Sequence, residues 1–117
     1  MSNLKENIIK EKTFSFSLSI IELYKKMLDQ NEYVLSKQLL RSATSIGANV
    51  YEATAAQSRK DFISKMSIAS KEARETNYWL RLISASNIVS INVSTEIDSC
   101  NEIVRILTSI VKTSQDN

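Results

Sequence analysis

The chain of 117 residues contains no proline, no histidine, one glycine and one cysteine. Sheets joined by tight turns draw on glycine for positive φ angles and on proline for preset bends, so the scarcity of both excludes a turn-rich β protein. Long, uninterrupted helices remain, in a chain long enough for one domain and too short for two ordinary ones. Without histidine, the Ser-His-Asp and Cys-His triads and nearly every zinc site fall away. No Gly-x-Ser-x-Gly elbow or Walker loop replaces them, so the reading is of a non-enzyme with no cofactor, no metal and no small-molecule substrate. Cys100 alone cannot form an intramolecular disulfide, and it reads as a small buried hydrophobe in a reducing compartment. No run approaches the ~18 apolar residues of a membrane span, and Met1 to Lys12 is mixed-charge with no signal-peptide core. A cytoplasmic protein without a membrane partner is expected.

What is present is helical periodicity. A first helix is predicted over about 13–29, with Phe14, Leu18, Ile21 and Leu28 on one stripe and Phe16, Ile20, Leu23 and Met27 on a neighbouring one. After the polar break at Gln30, Asn31 and Glu32, a second helix is predicted over about 33–56, its seam Leu35, Leu39, Ala43, Ile46, Val50 and Ala53 spaced 4, 4, 3, 4 and 3. Gly47 lies inside this helix, where glycine costs about 0.5 to 1 kcal/mol relative to alanine, so it predicts a close approach of another backbone. Ser58 followed by Asp61 has the capping-box arrangement and opens a third helix over about 58–86. Phe62, Met66, Ala69, Ala73, Thr76, Leu80 and Ile83 repeat there at 4, 3, 4, 3, 4 and 3, the strongest periodic signal in the chain. Asn87 to Ser94 reads as an ordered connection. Thr95 with Asp98 repeats the cap signature before a fourth helix over about 95–113, marked by Ile97, Cys100, Val104, Leu107 and Val111, with a tail from Thr113 expected to fray. Short connections reverse successive helices, so the fold class is all-α, an antiparallel up-and-down four-helix bundle.

Net charge is only +2, but it is polarised along the chain. Ser58 to Ser86 holds six bases against three acids, a sum of +3, whereas Ser94 to Asn117 holds two bases against four acids, a sum of −2. On the third helix Lys60, Ser64, Ser67, Lys71, Arg74, Tyr78 and Arg81 repeat at 4, 3, 4, 3, 4 and 3, offset by two residues, about 200°, from the apolar seam. Four cations, two hydroxyls and one aromatic on one solvent-side stripe suit phosphate contacts with occasional base stacking, so Lys60, Lys71, Arg74, Tyr78 and Arg81 are the candidate nucleic-acid-binding residues. An ordinary solvated face is the plainer reading of the same stripe. Arg41, Ser45, Asn49 and Glu52 form a polar stripe on the second helix, and Glu72 and Glu75 flank the seam of the third. Di-metal bundle sites add a Glu-x-x-His pair, which a chain without histidine cannot supply, so these six residues are read as a structural network of ion pairs, Arg41 with a carboxylate of the third helix among them. Phe16, Ile20, Ile103, Ile106 and Ile110 exceed what one seam requires, and with Tyr24, Tyr51, Tyr78 and Trp79 they suggest self-association or a protein-interaction scaffold with no nucleic-acid role.

The stretch Gln38 to Ala53, QLLRSATSIGANVYEA, and the stretch Ser58 to Ala69, SRKDFISKMSIA, continuing through Lys71-Glu72-Ala73 and Tyr78-Trp79-Leu80, resemble the bacterial four helix bundle protein family. That family was named from proteins encoded in intervening sequences of 23S ribosomal RNA genes and was formerly labelled as a ribosomal protein. The likeness covers nearly the whole chain. It implies a bundle that assembles as a ring-shaped homopentamer, and a related branch serves as the accessory subunit of reverse transcriptases in diversity-generating retroelements, an RNA- and enzyme-binding scaffold. RNA or a ribonucleoprotein is the partner this implies. Many members carry glycine after the glutamate of the second helix, where this sequence has Ala53.

Overall fold

The computed structural model describes residues 4–116. Four helices follow in order: α1 Leu4–Asp29, α2 Leu35–Ala53, α3 Arg59–Ser86 and α4 Ser94–Asp116. Each packs against two others, α1 on α2 and α4, α3 on α2 and α4, with no close backbone approach across either diagonal among the described residues, so the helices stand at the corners of a square. The resulting bundle is a rod of 46 × 20 × 20 Å.

The heptad seam of α3 lies in the core as its spacing requires: Met66, Ala69, Ala73, Thr76, Leu80 and Ile83 are buried, and Phe62 packs half-buried at its end. Leu39, Ala43, Ile46, Val50 and Ala53 of α2 face them. Fully burying each large aliphatic side chain stabilises the fold by about 1.5–3 kcal/mol, and small Ala43, Ala69 and Ala73 let the helices approach.

Several sequence expectations change. The first helix begins at Leu4, nine residues before Thr13, because the buried stripe Phe16, Ile20, Leu23, Met27 continues backwards through Thr13 and Ile9 at the same 4, 3 spacing. Thr13 hides its hydroxyl there by donating to Ile9 O at 2.8 Å, and Lys5 and Lys12 tie the added turns to α4 through Ser109 and Glu102. In α4 the buried seam is Cys100, Ile103, Leu107 and Ile110, while Ile97, Val104 and Val111 are only partly covered. Phe16, Ile20, Ile103 and Ile110 are therefore core, and Ile106 packs partly buried against it, so the surplus apolar surface lies elsewhere. Thirdly, Thr95 sits inside the first turn of α4 and does not cap it: Val93 O accepts the first helical bond, from Ile97 N at 3.0 Å, and Asn92 Oδ1 accepts from Ser94 N at 2.9 Å. The tail is helical through Asp116, with Arg59 donating to Ser114 O at 3.0 Å; Met1, Ser2, Asn3 and Asn117 lie outside the described residues.

Asparagine does the work of the missing glycines. Asn31 and Asn87 adopt φ of 64° and 53°, the left-handed region in which asparagine is the best-tolerated residue after glycine. At the end of α1, Glu32 N donates to Met27 O and Asn31 N to Leu28 O, a Schellman closure. Glu32 then turns its buried carboxylate onto the start of α2, accepting from Val34 N, Leu35 N and Ser36 N at 3.1, 3.0 and 2.7 Å. This is why α2 starts at Leu35 and not at Tyr33. Ser58 caps α3 as its spacing predicts, accepting from Asp61 N at 3.0 Å. The 87–93 connection is ordered by buried Val89 and Val93 and by Gln30, whose Oε1 accepts from Ser90 N at 2.7 Å.

Candidate nucleic-acid interface

Because the α3 seam faces the core, the stripe two residues away faces solvent: Lys60, Ser64, Lys71, Arg74, Tyr78 and Arg81 are exposed, and Ser67 is half-buried. Its residues do not all behave alike. Arg74 reaches sideways to α4, donating from Nη2 to Thr108 Oγ1 at 3.1 Å, which fixes its guanidinium over the α3–α4 groove. Next to it Asn77 Nδ2 donates to Asn101 Oδ1 at 2.8 Å. Tyr78 meets Trp79 edge to face, ring centres 5.2 Å apart at 70°. Arg81 borders a shallow hollow of about 420 Å³ formed with Asn77, Ser84, Ile97 and Asn101. Among the described residues none of Lys60, Lys71, Arg74 and Arg81 is ion-paired, whereas Glu72 and Glu75 of α3 are engaged by Arg41.

The face is wider than the sequence indicated. Arg105 and Lys112 stand exposed on α4, three residues before and four after Thr108, so helical spacing puts them on the side that Arg74 touches. The net negative charge of the α4 segment hides them, yet Glu102 on that helix points away and pairs with Lys12 of α1 at 3.0 Å.

The six residues of the expected structural network separate into three groups. Arg41 spans α2 to α3, holding Glu72 at 3.4 Å and Glu75 in a close ion pair, with Gln38 Oε1 accepting from its Nε. Trp79 Nε1 donates to Glu75 at 3.0 Å, and this bond, with Arg41 and Lys71 nearby, holds the Glu75 carboxyl below the usual glutamate range against the opposing effect of partial burial. Asn49 folds back within α2, donating to Ser45 O at 2.9 Å and Ser45 Oγ at 3.2 Å. Glu52 pairs with Lys65 at 3.1 Å, raising the lysine pKa. Among the described residues no group of three or more Asp, Glu, Cys or His could hold a metal ion, and no helix is long and apolar enough to cross a membrane. Burial pushes the Cys100 thiol up to about 12, so it is protonated at neutral pH and no nucleophile.

A model of the 23S rRNA-intervening sequence proteins matches residues 5–109. The chain belongs to the 23S rRNA-intervening sequence protein family. Among solved structures, a crystal structure of a protein with unknown function from the S23 ribosomal protein family of Bacteroides thetaiotaomicron is similar at 47% identity and a TM-score of 0.88, over 93% of this chain and 99% of that one. No curated protein matches.

This member of the 23S rRNA-intervening sequence protein family also carries an apolar face on the side of the bundle away from α3 and α4. Phe14, Leu18 and Tyr51 are 67%, 52% and 66% exposed, unlike the buried stripe beside them on α1. Phe14 and Tyr51 border a groove of about 1100 Å³ between α1 and α2, floored by Ser17, Thr44, Gly47 and Ala48. Lys10 Nζ lies over the Tyr51 ring at 5.2 Å.

Proposed function

We propose that the chain is a non-enzymatic, oligomeric binding module of the cytoplasm that contacts RNA or a ribonucleoprotein through the basic face of α3. The observation that carries this reading is the set of four exposed α3 cations without an ion pair among the described residues, one of them, Arg74, oriented by Thr108. Unpaired cations on a rigid face release counterions when they meet phosphates, and that release is the main source of affinity for nucleic acid. Membership of a family named for 23S rRNA intervening sequences and the S23 ribosomal protein label of the structural neighbour support the same direction. So does the resemblance to accessory subunits of retroelement reverse transcriptases.

The apolar α1–α2 face supports self-association, and the resemblance to ring-shaped relatives makes a homopentamer the expected assembly. A ring multiplies a modest cationic face into a multivalent one. The same apolar face favours a second reading, a protein-interaction scaffold with no nucleic-acid role. RNA binding measured at two salt concentrations separates the two. Affinity falls steeply as salt rises, and a Lys71→Glu, Arg74→Glu double variant loses roughly tenfold or more in affinity. Binding that is absent, or indifferent to both changes, removes the RNA reading and leaves the scaffold.

A further inference from the structure

We infer that the nucleic acid this surface fits is duplex RNA, held through its two backbones across the minor groove, with Arg105 and Lys112 of α4 as the second half of the grip; the inference rests on the RNA reading above. The surface has three lanes. The middle lane is the α3–α4 groove, paved by the Asn77–Asn101 amide pair and by Thr108 under Arg74. One outer lane is the exposed α3 row with Lys71 and Arg81, and the other is the exposed α4 pair Arg105 and Lys112. Packed helices lie about 8–10 Å apart, so cations on flexible stems stand on both sides of the groove, and the Arg74 guanidinium lies over its middle among the amide and hydroxyl groups.

Duplex RNA presents the complementary pattern. Its minor groove is wide and shallow, with 2′-hydroxyls displayed between two lines of phosphates. Outer-lane cations meet phosphates, while the middle lane meets hydroxyls that both donate and accept. Asn101 uses its Oδ1 on Asn77, so its amide N–H groups face outward for such a partner.

Single strands need a different surface, one with aromatic platforms on which successive bases stack. This face holds one ring, Tyr78, already set against Trp79, and the hollow beside Arg81 contains no other ring. Glu102 is drawn to Lys12 and Glu72 to Arg41, while Glu75, held by Arg41 and Trp79, stands near Lys71 at the edge of the α3 row and Asp61 lies at its start. By helical spacing Asp98 and Asp116 stand only at the two ends of the α4 row.

The test is a fluorescence-anisotropy titration of the full chain with an RNA duplex of roughly 16 base pairs, the span that known duplex-RNA domains cover. Each strand alone and a DNA duplex of the same sequence are titrated in parallel. The RNA duplex binds at least about tenfold tighter than either strand or the DNA, as expected when backbone shape and 2′-hydroxyls are read in place of base stacking. An Arg105→Ala, Lys112→Ala variant, both sites being exposed, lowers the slope of log K against log salt by about 2, near 0.9 for each lost contact. Strands or DNA that bind as well as the RNA duplex, or an unchanged slope in the variant, overturn this inference and leave the RNA reading standing. No binding of any RNA form at low salt removes both.

Discussion

Thr76 Oγ1 and Ser42 Oγ stand 2.9 Å apart inside the α2–α3 seam, with both side chains fully buried. Thr76 Oγ1 also lies 2.8 Å from Glu72 O, and Ser42 Oγ 3.3 Å from Leu39 O, so the two hydroxyls close a small network against their own helices. The bond between the two hydroxyls forms only at one register of α2 on α3. Removing one partner leaves the other short of a bond, at a cost of about 1–2 kcal/mol, whereas removing both takes away donor and acceptor together. In urea unfolding, Ser42→Ala and Thr76→Val each lower stability by about that amount. The double variant loses less than the sum by about 1 kcal/mol, and strict additivity would show that the pair does not couple.

Glu32 makes the α1–α2 corner sensitive to acid. Burial raises its pKa, but the backbone N–H groups of Ser36, Leu35 and Val34, with the Ser36 hydroxyl, outweigh that effect and bring it below the ordinary 4.5. A carboxylate whose folded pKa lies below its unfolded value contributes stability that is fully present above the unfolded pKa. That contribution is lost as pH falls through the lower, folded value. Stability therefore declines as pH drops below about 4.5, and thermal melts of Glu32→Gln show a shallower decline together with a loss of about 1 kcal/mol at neutral pH, the usual value of a helix cap. Some acid sensitivity persists in that variant, because Glu75 is shifted in the same direction.

The fold was legible wherever one stripe of a helix was apolar and its neighbours were not. Met66 through Ile83 on α3 repeat so regularly that spacing alone assigns their burial. On α1 two apolar stripes lie side by side, and residue types cannot say that Phe16 goes inside while Phe14 stays 67% exposed; only the positions of α2 and α4 decide. Residues 4–12 hide a helix start because charged side chains dominate them and Ile9 alone of that stretch is buried. The α3 half of the candidate interface follows from a seven-residue spacing. Its α4 half needs the antiparallel register that sets Thr108 beside Arg74, which no local pattern encodes.

Gly47 sits where α2 lies against the Thr13 to Ser17 turn of α1. A Cβ there would meet Ser17 Oγ at 3.2 Å and the Thr13 carbonyl oxygen at 3.4 Å. The serine hydroxyl can swing aside, and alanine gains about 0.5–1 kcal/mol of helix propensity, so Gly47→Ala stays within about 1 kcal/mol of the native chain. A branched side chain built out from that Cβ crowds Ser17 and the Thr13 carbonyl, which a single methyl only touches. Gly47→Leu therefore destabilises by about 1–3 kcal/mol in the same urea assay, the range for overpacking. A leucine variant as stable as the native chain would show that α1 moves away at no cost.

The proposed self-association makes its own demand on the structure. Two aromatic rings about two-thirds exposed on one face, Phe14 and Tyr51, together offer on the order of 200–300 Å² for burial. A stable interface needs about 800 Å² per partner, so in the proposed oligomer the rings would anchor a contact whose remainder comes from the neighbouring length of α1 and α2. Introducing charge at its centre costs more than the area lost, because two carboxylates buried there must be desolvated, with Lys10 the one cation among the described residues lining the groove. In light scattering at micromolar concentration the native chain has a mass several times 13.2 kDa, and Phe14→Glu with Tyr51→Glu brings it down to the monomer without loss of helical circular dichroism. A native chain that is already monomeric refutes the oligomer. A double variant that keeps the native mass assigns the contact to another face, with α3 and α4 next in line, and their cations would then be covered in the assembly and closed to RNA.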